Sequence, residues 1–226
     1  MIHGHGGNIF DLARRLGCVP GDIVDMSSNV NPLGPPPGLM EHLNECLPAV
    51  VALPEVDAGS AVAAFSERYG VAPERVLGGN GTTQFIYTLP RVLNSRKVLI
   101  LGPAYADYTD ACRLNQSPWE DLLSKPETGF APDPADIDER IRAGADTVFI
   151  CNPNNPTGVL MPSEAIEDLC RRHRNTWFVV DESYLPFVSR GQAESLVARS
   201  YPNLVVLNSM SKVFRIPGLR IGFVAA

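Results

Sequence analysis

The chain alternates between short apolar runs and stretches with helical periodicity, and this alternation most constrains its fold. The predicted strands are Val76–Leu77, Val98–Leu101, Val148–Cys151, Trp177–Val180, Leu204–Asn208 and Ile221–Val224. The predicted helices lie near 38–47, 58–69, 82–93, 105–114, 134–143, 162–174 and 192–199. Continuously apolar strands separated by helices indicate an α/β fold whose sheet is mostly parallel and covered on both faces. Ligands of such sheets bind beyond the carboxyl ends of the strands, so the residues that follow each strand form the candidate site.

The composition limits the class of protein. With 226 residues, of which 45% are hydrophobic, the chain can bury the core of one large domain, or of one domain and part of another. Its net charge of −6 argues against nucleic acid or an anionic membrane as a partner. Five scattered cysteines, the lack of signal-peptide features and the lack of a long apolar window favour the cytoplasm. His3 and His5 have no third ligand at a fitting spacing, so no metal is expected.

The first two strand ends carry groups suited to an anion and to a flat ring. Gly78–Gln84 combines glycines with Thr82 and Thr83 at the start of a helix, where amides and hydroxyls can bind an anion. A plain glycine turn capped by Thr82 is the alternative. Tyr105 follows the second strand at the mouth of the predicted crevice, where its ring can stack on a flat ligand. The alternative there is an aromatic residue that packs on its own helix.

The next strand ends add an amide-rich loop and a carboxylate. The loop Cys151–Gly158 reads Cys-Asn-Pro-Asn-Asn-Pro-Thr-Gly and places two free amide side chains beside a strand end. Asp181 directly follows a buried apolar strand, where a carboxylate is costly unless a cation or hydrogen-bond donors lie beside it. An ordinary Pro/Gly loop and a helix-capping aspartate are the alternatives at these two positions.

The last predicted site element is a lysine between hydroxyls. Lys212 lies in the segment Ser209–Arg220, in a mostly apolar context where desolvation would lower the pKa of its amine and make it a nucleophile. An exposed loop lysine is the alternative. Together, the strand ends place anion-binding donors, an aromatic ring, an amide, a carboxylate, a lysine and an arginine at one edge of the sheet. Pyridoxal 5′-phosphate carries a phosphate, a flat ring, a ring nitrogen and a carbonyl that match these groups, so it is the expected cofactor.

These motifs resemble those of the fold-type I pyridoxal-phosphate enzymes of the class I/II aminotransferase family. The strings Asn152–Gly158, Asp181–Tyr184 and Ser-x-Ser-Lys-x₅-Gly-x-Arg, which runs from Ser209 to Arg220, occur in the order typical of that family. The resemblance extends from about Ser27 to the last residue. It implies the large domain of that fold, a three-layer αβα architecture with a mostly parallel seven-stranded sheet, in which a weak strand near 115–119 would be the third.

The resemblance also implies a role for each matching residue. Lys212 would bond covalently to the cofactor, Asp181 would partner its pyridinium nitrogen, and these two with Tyr184 would form the catalytic set. Asn155 and Tyr184 would bind the ring hydroxyl oxygen, and Tyr105 would stack on the ring. The residues implied to hold the phosphate are Gly81, Thr82, Thr83, Ser209, Ser211 and Arg220.

Within the family, parts of the chain are most similar to the threonine-phosphate decarboxylases, a cobalamin-pathway group close to the histidinol-phosphate aminotransferases. These parts are His5–Asn8 with Ser28–Gly34, and Phe214–Gly222. The implied substrate-binding residues are His5, Gly7, Asn31 and Asn155. The implied domains are an N-terminal arm and small-domain segment over 1–40 and a cofactor-binding large domain over 41–226. Prolines between 29 and 37 predict that the arm is extended.

Two departures from the family pattern leave the reaction open. Leu53-Pro-Glu stands where relatives have Tyr-Pro-Asp, so one hydrogen bond to the cofactor phosphate of the neighbouring subunit is expected to be lost in the homodimer. The chain also stops at Ala226, where relatives continue into a small domain with a carboxylate-binding arginine. Three interpretations follow: a decarboxylase of a phosphorylated amino acid, an aminotransferase of the histidinol-phosphate type, or a truncated fragment that binds the cofactor without turnover.

Overall fold

The computed structural model describes residues 7–226 and contains one seven-stranded sheet. The strands are β1 Val76–Asn80, β2 Val98–Gly102, β3 Trp119–Leu123, β4 Thr147–Cys151, β5 Trp177–Asp181, β6 Leu204–Ser209 and β7 Ile221–Ala225. They lie in the order β1-β7-β6-β5-β4-β2-β3, and β7 alone runs antiparallel to its neighbours, β1 and β6. The other neighbouring pairs are parallel, which confirms the mostly parallel sheet.

Helices cover both faces of this sheet. The helices of residues 7–226 are α1 Ile9–Leu16, α2 Leu39–Cys46, α3 Gly59–Tyr69, α4 Thr82–Val92, α5 Ala106–Leu114, α6 Pro134–Arg142, α7 Ser163–Arg172, α8 Gly191–Glu194 and α9 Met210–Val213. One core contains side chains of α3, α6 and α7, and the other contains those of α4 and α5. The three-layer αβα architecture is therefore confirmed. Among residues 7–226, no helix is long and apolar enough to cross a membrane.

The central strands divide their side chains between the two cores. Leu99 and Leu101 of β2 pack into the core of α3, α6 and α7, whereas Val98 and Ile100 pack into the core of α4 and α5. All residues of β2 and β4 are buried. This double burial explains why these strands appear in the sequence as continuous apolar runs, since alternate residues face opposite sides of a strand.

The extended arm predicted for residues 1–40 is wrong in part, because α1 forms within it. Asn8 caps this helix by accepting a hydrogen bond at Oδ1 from the Asp11 backbone N–H at 3.2 Å. Gly17 ends it in the left-handed conformation, with φ of 70°. The proline-rich run begins only after this helix, so its effect on backbone geometry does not reach residues 9–16.

Strand β3 and helix α8 differ most from their predicted bounds. Strand β3 spans 119–123 rather than 115–119, because Asn115–Ser117 form the turn that ends α5, with Gln116 at φ of 55° and the Ser117 N–H bonded to the Cys112 carbonyl. Helix α8 spans 191–194 rather than 192–199. It ends at Ser195, whose hydroxyl donates to the Glu182 carboxylate at 2.7 Å.

Candidate active site

The carboxyl ends of the parallel strands border a cleft that is open to solvent. Its walls come from the loops after β2, β4 and β5, the end of β6, helix α9 and the start of α4. The lining residues are Thr82, Thr83, Tyr105, Tyr108, Cys151, Asn155, Asp181, Ser183, Tyr184, Ser209, Ser211, Lys212 and Arg220. The fold therefore brings together ten of the eleven residues that the sequence predicted to bind the cofactor, all except Gly81.

One end of the cleft is a cluster of neutral and cationic donors around the start of α4. Gly81 precedes this helix with φ of 75°, and a Cβ at that position would lie 2.7 Å from Nη2 of Arg220. The same guanidinium donates to Oγ1 of Thr83 at 3.2 Å. Gly222 allows β7 to approach the helix, because a Cβ there would lie 2.5 Å from the Thr82 backbone nitrogen. Only glycine at these two positions permits the arginine and the helix terminus to share one small space.

Two serines from the end of β6 extend this donor cluster. Ser209 and Ser211 are both buried, and the Ser209 Oγ accepts a hydrogen bond from the Ser211 backbone N–H at 3.3 Å. This bond caps the start of α9 and orients the Ser209 hydroxyl, and both serines line the cleft. Helix N-terminal amides, hydroxyls and a guanidinium are the groups that proteins use to bind phosphate.

Asp181 is a buried carboxylate held by neutral donors. Its Oδ2 accepts from the Tyr108 hydroxyl at 2.9 Å, and its Oδ1 accepts from the backbone N–H and hydroxyl of Ser183 at 2.9 and 2.5 Å. Burial raises the pKa of Asp181, and these hydrogen bonds with the nearby Lys212 oppose that rise only in part. A cationic group placed beside Asp181 would therefore stabilise its ionised form.

Lys212 is half-buried in the four-residue helix α9. Burial lowers the pKa of its amine, and the neighbouring positive charge of Arg220 lowers it further, while Asp181 and Asp107 act in the opposite direction. A lower pKa increases the fraction of neutral amine, which is the nucleophilic form. The sequence-based prediction of a desolvated lysine agrees with this position.

Three further predicted residues also line the cleft. Tyr105 lies edge-on to the Tyr108 ring, with ring centroids 5.8 Å apart and planes at 87°. Asn155 donates its backbone N–H to Sγ of Cys151 at 3.4 Å. Burial raises the pKa of Tyr184 to about 12, so its hydroxyl remains protonated and able to donate.

The predicted substrate-binding residues are not grouped in the same way. His5 lies outside the described residues. Gly7 donates its backbone N–H to the hydroxyl of Ser27 at 2.8 Å. Asn31 uses its side chain within the protein, donating from Nδ2 to the Val213 carbonyl and accepting at Oδ1 from the Leu33 backbone N–H, both at 3.0 Å.

The sequence-based reasoning missed four residues that belong to this site. Tyr108, Ser183 and Cys151 line the cleft, and Asn29 bonds from Nδ2 to Oδ1 of Asn155 at 3.4 Å. Two of them left a signal in the sequence. Tyr108 follows Tyr105 by three residues on a helix, which places both rings on one face, and Ser183 follows Asp181 by two in an Asp-x-Ser turn. Cys151 and Asn29 left none.

Comparison with known proteins assigns the chain to a family. The model of the aminotransferase class I and II family matches residues 21–226, and the chain belongs to this family. It is 32% identical to threonine-phosphate decarboxylase from Salmonella typhimurium over 97% of this chain and 60% of that protein. It is also 32% identical to histidinol-phosphate aminotransferase from Stutzerimonas stutzeri over 98% of this chain and 60% of that protein. The chain thus spans about 60% of the length of these two relatives.

A solved structure confirms the fold. Histidinol-phosphate aminotransferase from Sinorhizobium meliloti, in complex with pyridoxal 5′-phosphate, superposes with a TM-score of 0.86 at 18% identity. The alignment covers all of this chain and 60% of that one. Pyridoxal 5′-phosphate is the cofactor that membership of this family assigns to the chain.

The chemistry of the lining residues fits this cofactor. The donors around the start of α4 match a dianionic phosphate, and the lack of a Cβ at Gly81 lets the Arg220 guanidinium lie among them. Asp181 offers a carboxylate for which a cationic ring nitrogen is a complementary partner. Lys212 lines the same cleft. The phosphate, the ring nitrogen and the carbonyl of the cofactor are therefore matched by the donor cluster, by Asp181 and by Lys212.

Proposed function

We propose that this chain binds pyridoxal 5′-phosphate in the cleft at the carboxyl edge of the sheet and bonds it through Lys212. One observation carries this proposal: a single cleft is lined by Lys212, by Asp181 and by the donors Thr82, Thr83, Ser209, Ser211 and Arg220. When bound, the cofactor supplies an electron-withdrawing ring that weakens bonds to the α-carbon of an amino acid.

Each residue of the cleft would have its own role in binding the cofactor or in the reaction. The donor cluster with Gly81 holds the phosphate, and Asp181 holds a proton on the ring nitrogen. Asn155 and Tyr184 bind the ring hydroxyl oxygen, and Tyr105 covers a ring face. The Lys212 amine would accept or donate the proton of the reaction, and its lowered pKa suits both roles.

For the full-length protein we propose decarboxylation of an amino acid such as L-threonine O-3-phosphate. The similarity of Phe214–Gly222 and of the N-terminal motifs to threonine-phosphate decarboxylases supports this choice, as does the 32% identity to such an enzyme. A bifunctional adenosylcobalamin biosynthesis protein from Leptospira interrogans is 32% identical over 96% of this chain, which supports a role in cobalamin biosynthesis. An aminotransferase of the histidinol-phosphate type is the second candidate, because the identity to one is also 32%.

The proposal extends to domains, assembly and location. Residues 41–226 would form the cofactor-binding domain, and residues 1–40 the arm with part of the small domain. The full-length protein would be a homodimer, which is consistent with apolar side chains such as Leu53 and Val56 being almost fully exposed in a single chain. Five cysteines that form no disulfide suit a reducing cytoplasm.

Trapping of the cofactor on lysine tests the proposed site. The chain has three lysines, Lys97, Lys125 and Lys212. After incubation with pyridoxal 5′-phosphate and reduction with borohydride, peptide mass mapping should locate the adduct on Lys212. Lys212→Ala should lose both the adduct and the visible absorbance that accompanies attachment, while the control Lys125→Ala retains them. An adduct spread over Lys97 and Lys125, or unchanged by Lys212→Ala, would contradict the proposed site.

Product analysis of the loaded, full-length protein separates the two candidate reactions. Release of CO₂ from threonine phosphate is the expected result. Amino transfer from histidinol phosphate to 2-oxoglutarate without CO₂ release would favour the second candidate. Attachment of the cofactor to Lys212 without either reaction would instead show a binding protein without turnover.

A further inference from the structure

The short helix that carries Lys212 depends on a distant part of the chain. Helix α9 has only four residues, Met210–Val213, too few to be stable without tertiary contacts. The carbonyls at its end have no partners further along a helix, so the following turn and distant residues must supply the donors. Two of these carbonyls, those of Lys212 and Val213, accept hydrogen bonds from Asn31.

Asn31 makes these contacts with both its backbone and its side chain. Its backbone N–H donates to the Lys212 carbonyl at 3.0 Å, and its Nδ2 donates to the Val213 carbonyl at 3.0 Å. Its Oδ1 accepts from the Leu33 backbone N–H at 3.0 Å, which fixes the orientation of the amide. Asn31 and Val213 are 182 residues apart in the sequence, so the helix end is capped by a tertiary contact.

Arg215 holds the segment of Asn31 against the same helix. Its Nη1 donates to the carbonyls of Asn31 and Pro32 at 3.0 and 3.2 Å, and its backbone N–H donates to the Lys212 carbonyl at 3.3 Å. Its φ is 51°, in the left-handed region that a residue with a Cβ adopts only when its surroundings impose it. The guanidinium contacts are such a constraint.

We propose that Asn31 is a positioning residue for Lys212, and that Arg215 keeps Asn31 in place. This assigns Asn31 a different role from the substrate contact expected from its sequence motif. The inference rests on the proposed function insofar as Lys212 is the residue that bonds the cofactor. In this role, the amide of Asn31 fixes the helix end, and the fixed helix holds the half-buried Lys212 side chain at the cleft that Asp181 and Arg220 also line.

Two variants of Asn31 separate the capping donor from the rest of the side chain. Asn31→Ala removes all side-chain contacts. Asn31→Asp keeps an oxygen for the Leu33 N–H but replaces the donor to the Val213 carbonyl with a second acceptor. Arg215→Gly removes the guanidinium while allowing φ of 51° without strain. Gln116→Gly is its matched control, since Gln116 has φ of 55° at an exposed turn outside the cleft.

The first measurement uses the chain without cofactor. Competitive acetylation with acetic anhydride at a series of pH values, with mass analysis, reports the titration midpoint of each lysine amine. In Asn31→Ala, Asn31→Asp and Arg215→Gly, the midpoint of Lys212 should rise above its value in the parent chain, because the side chain loses its fixed, desolvated position. The control Gln116→Gly should leave it unchanged, and circular dichroism should show the same fold in all variants.

The second measurement is the rate at which pyridoxal 5′-phosphate attaches to Lys212, followed by visible absorbance. The three variants should slow attachment by about tenfold, the scale expected for a lost hydrogen bond. An unchanged Lys212 midpoint with an unchanged attachment rate in Asn31→Asp would overturn the inference. If the parent chain fails to attach the cofactor at Lys212, the proposed function fails, while the acetylation midpoints still decide the role of Asn31.

Discussion

The carboxyl edge of the sheet and the N-terminal segment, residues 7–57, depart in opposite ways from the usual distribution of side chains. At the sheet edge, Asp181 and Glu182 are 5% and 1% exposed although both are ionisable. In the N-terminal segment, large apolar residues are exposed, with Leu33 at 92%, Leu53 at 96% and Val56 at 98%. Buried polar groups and exposed apolar groups are the informative exceptions in a folded chain.

The two departures have different consequences. Burial of a carboxylate costs free energy, and hydrogen-bond donors reduce that cost, as Tyr108 and Ser183 do for Asp181. Exposure of apolar side chains costs little in one chain but marks a surface that another polypeptide can cover. The candidate active site thus lies at the carboxyl edge of the sheet. The N-terminal segment contacts it through Asn29, which bonds to Asn155, and through Asn31, which bonds to the Val213 carbonyl.

The largest predicted effect lies in the core of the sheet. Leu99 of β2 is fully buried, so Leu99→Ala should lower the free energy of unfolding by about 2–5 kcal/mol, through lost apolar burial and the cavity that remains. Urea unfolding followed by circular dichroism measures this change. A loss below about 1 kcal/mol would show that the sheet is not the stable part of the molecule.

The second prediction concerns the carboxylate next to Asp181. Burial raises the pKa of Glu182 to about 7 from an ordinary value of 4.5. The folded chain therefore retains a proton on Glu182 that the unfolded chain releases, and this residue's contribution to stability falls as the pH rises from about 4.5 to about 7. The total fall is on the order of 3 kcal/mol.

Glu182→Gln should remove this pH dependence. The glutamine amide can keep both contacts of the carboxylate, accepting from the Leu196 N–H and donating to Oγ of Ser195. Relative to the parent, the variant should gain up to about 3 kcal/mol between about pH 5 and about pH 8. If the unfolding free energies of the two proteins show the same dependence on pH, then ionisation of Glu182 does not lower the stability of the folded chain.

The fold and most of the site were predictable for a physical reason. Strands buried on both faces must be apolar throughout, and this pattern is visible in a linear sequence, as in β2 and β4. The polar residues that follow such strands meet at one edge because the strands are parallel. For this reason the order of residues along the chain is enough to place Asp181, Asn155 and Lys212 together.

The features that escaped prediction depend on contacts between distant residues. The cap of α9 by Asn31 joins positions 182 residues apart, and no local pattern encodes it. The hydrogen bond from Tyr108 to Asp181 likewise requires the packing of α5 on β5. Apolar residues such as Leu53 have the sequence character of core residues, and only the fold shows that they are exposed.

The smallest predicted effect lies in the N-terminal segment. Leu53 is 96% exposed, so Leu53→Ala should change the free energy of unfolding of the single chain by no more than about 0.5 kcal/mol. The same urea unfolding experiment, run at a protein concentration where the chain is monomeric by light scattering, makes the result directly comparable with Leu99→Ala. A loss comparable to that of Leu99→Ala would mean that Leu53 is buried within its own chain. A loss that appears only at high protein concentration would instead show that a second copy covers it, because binding between folded chains stabilises them by mass action.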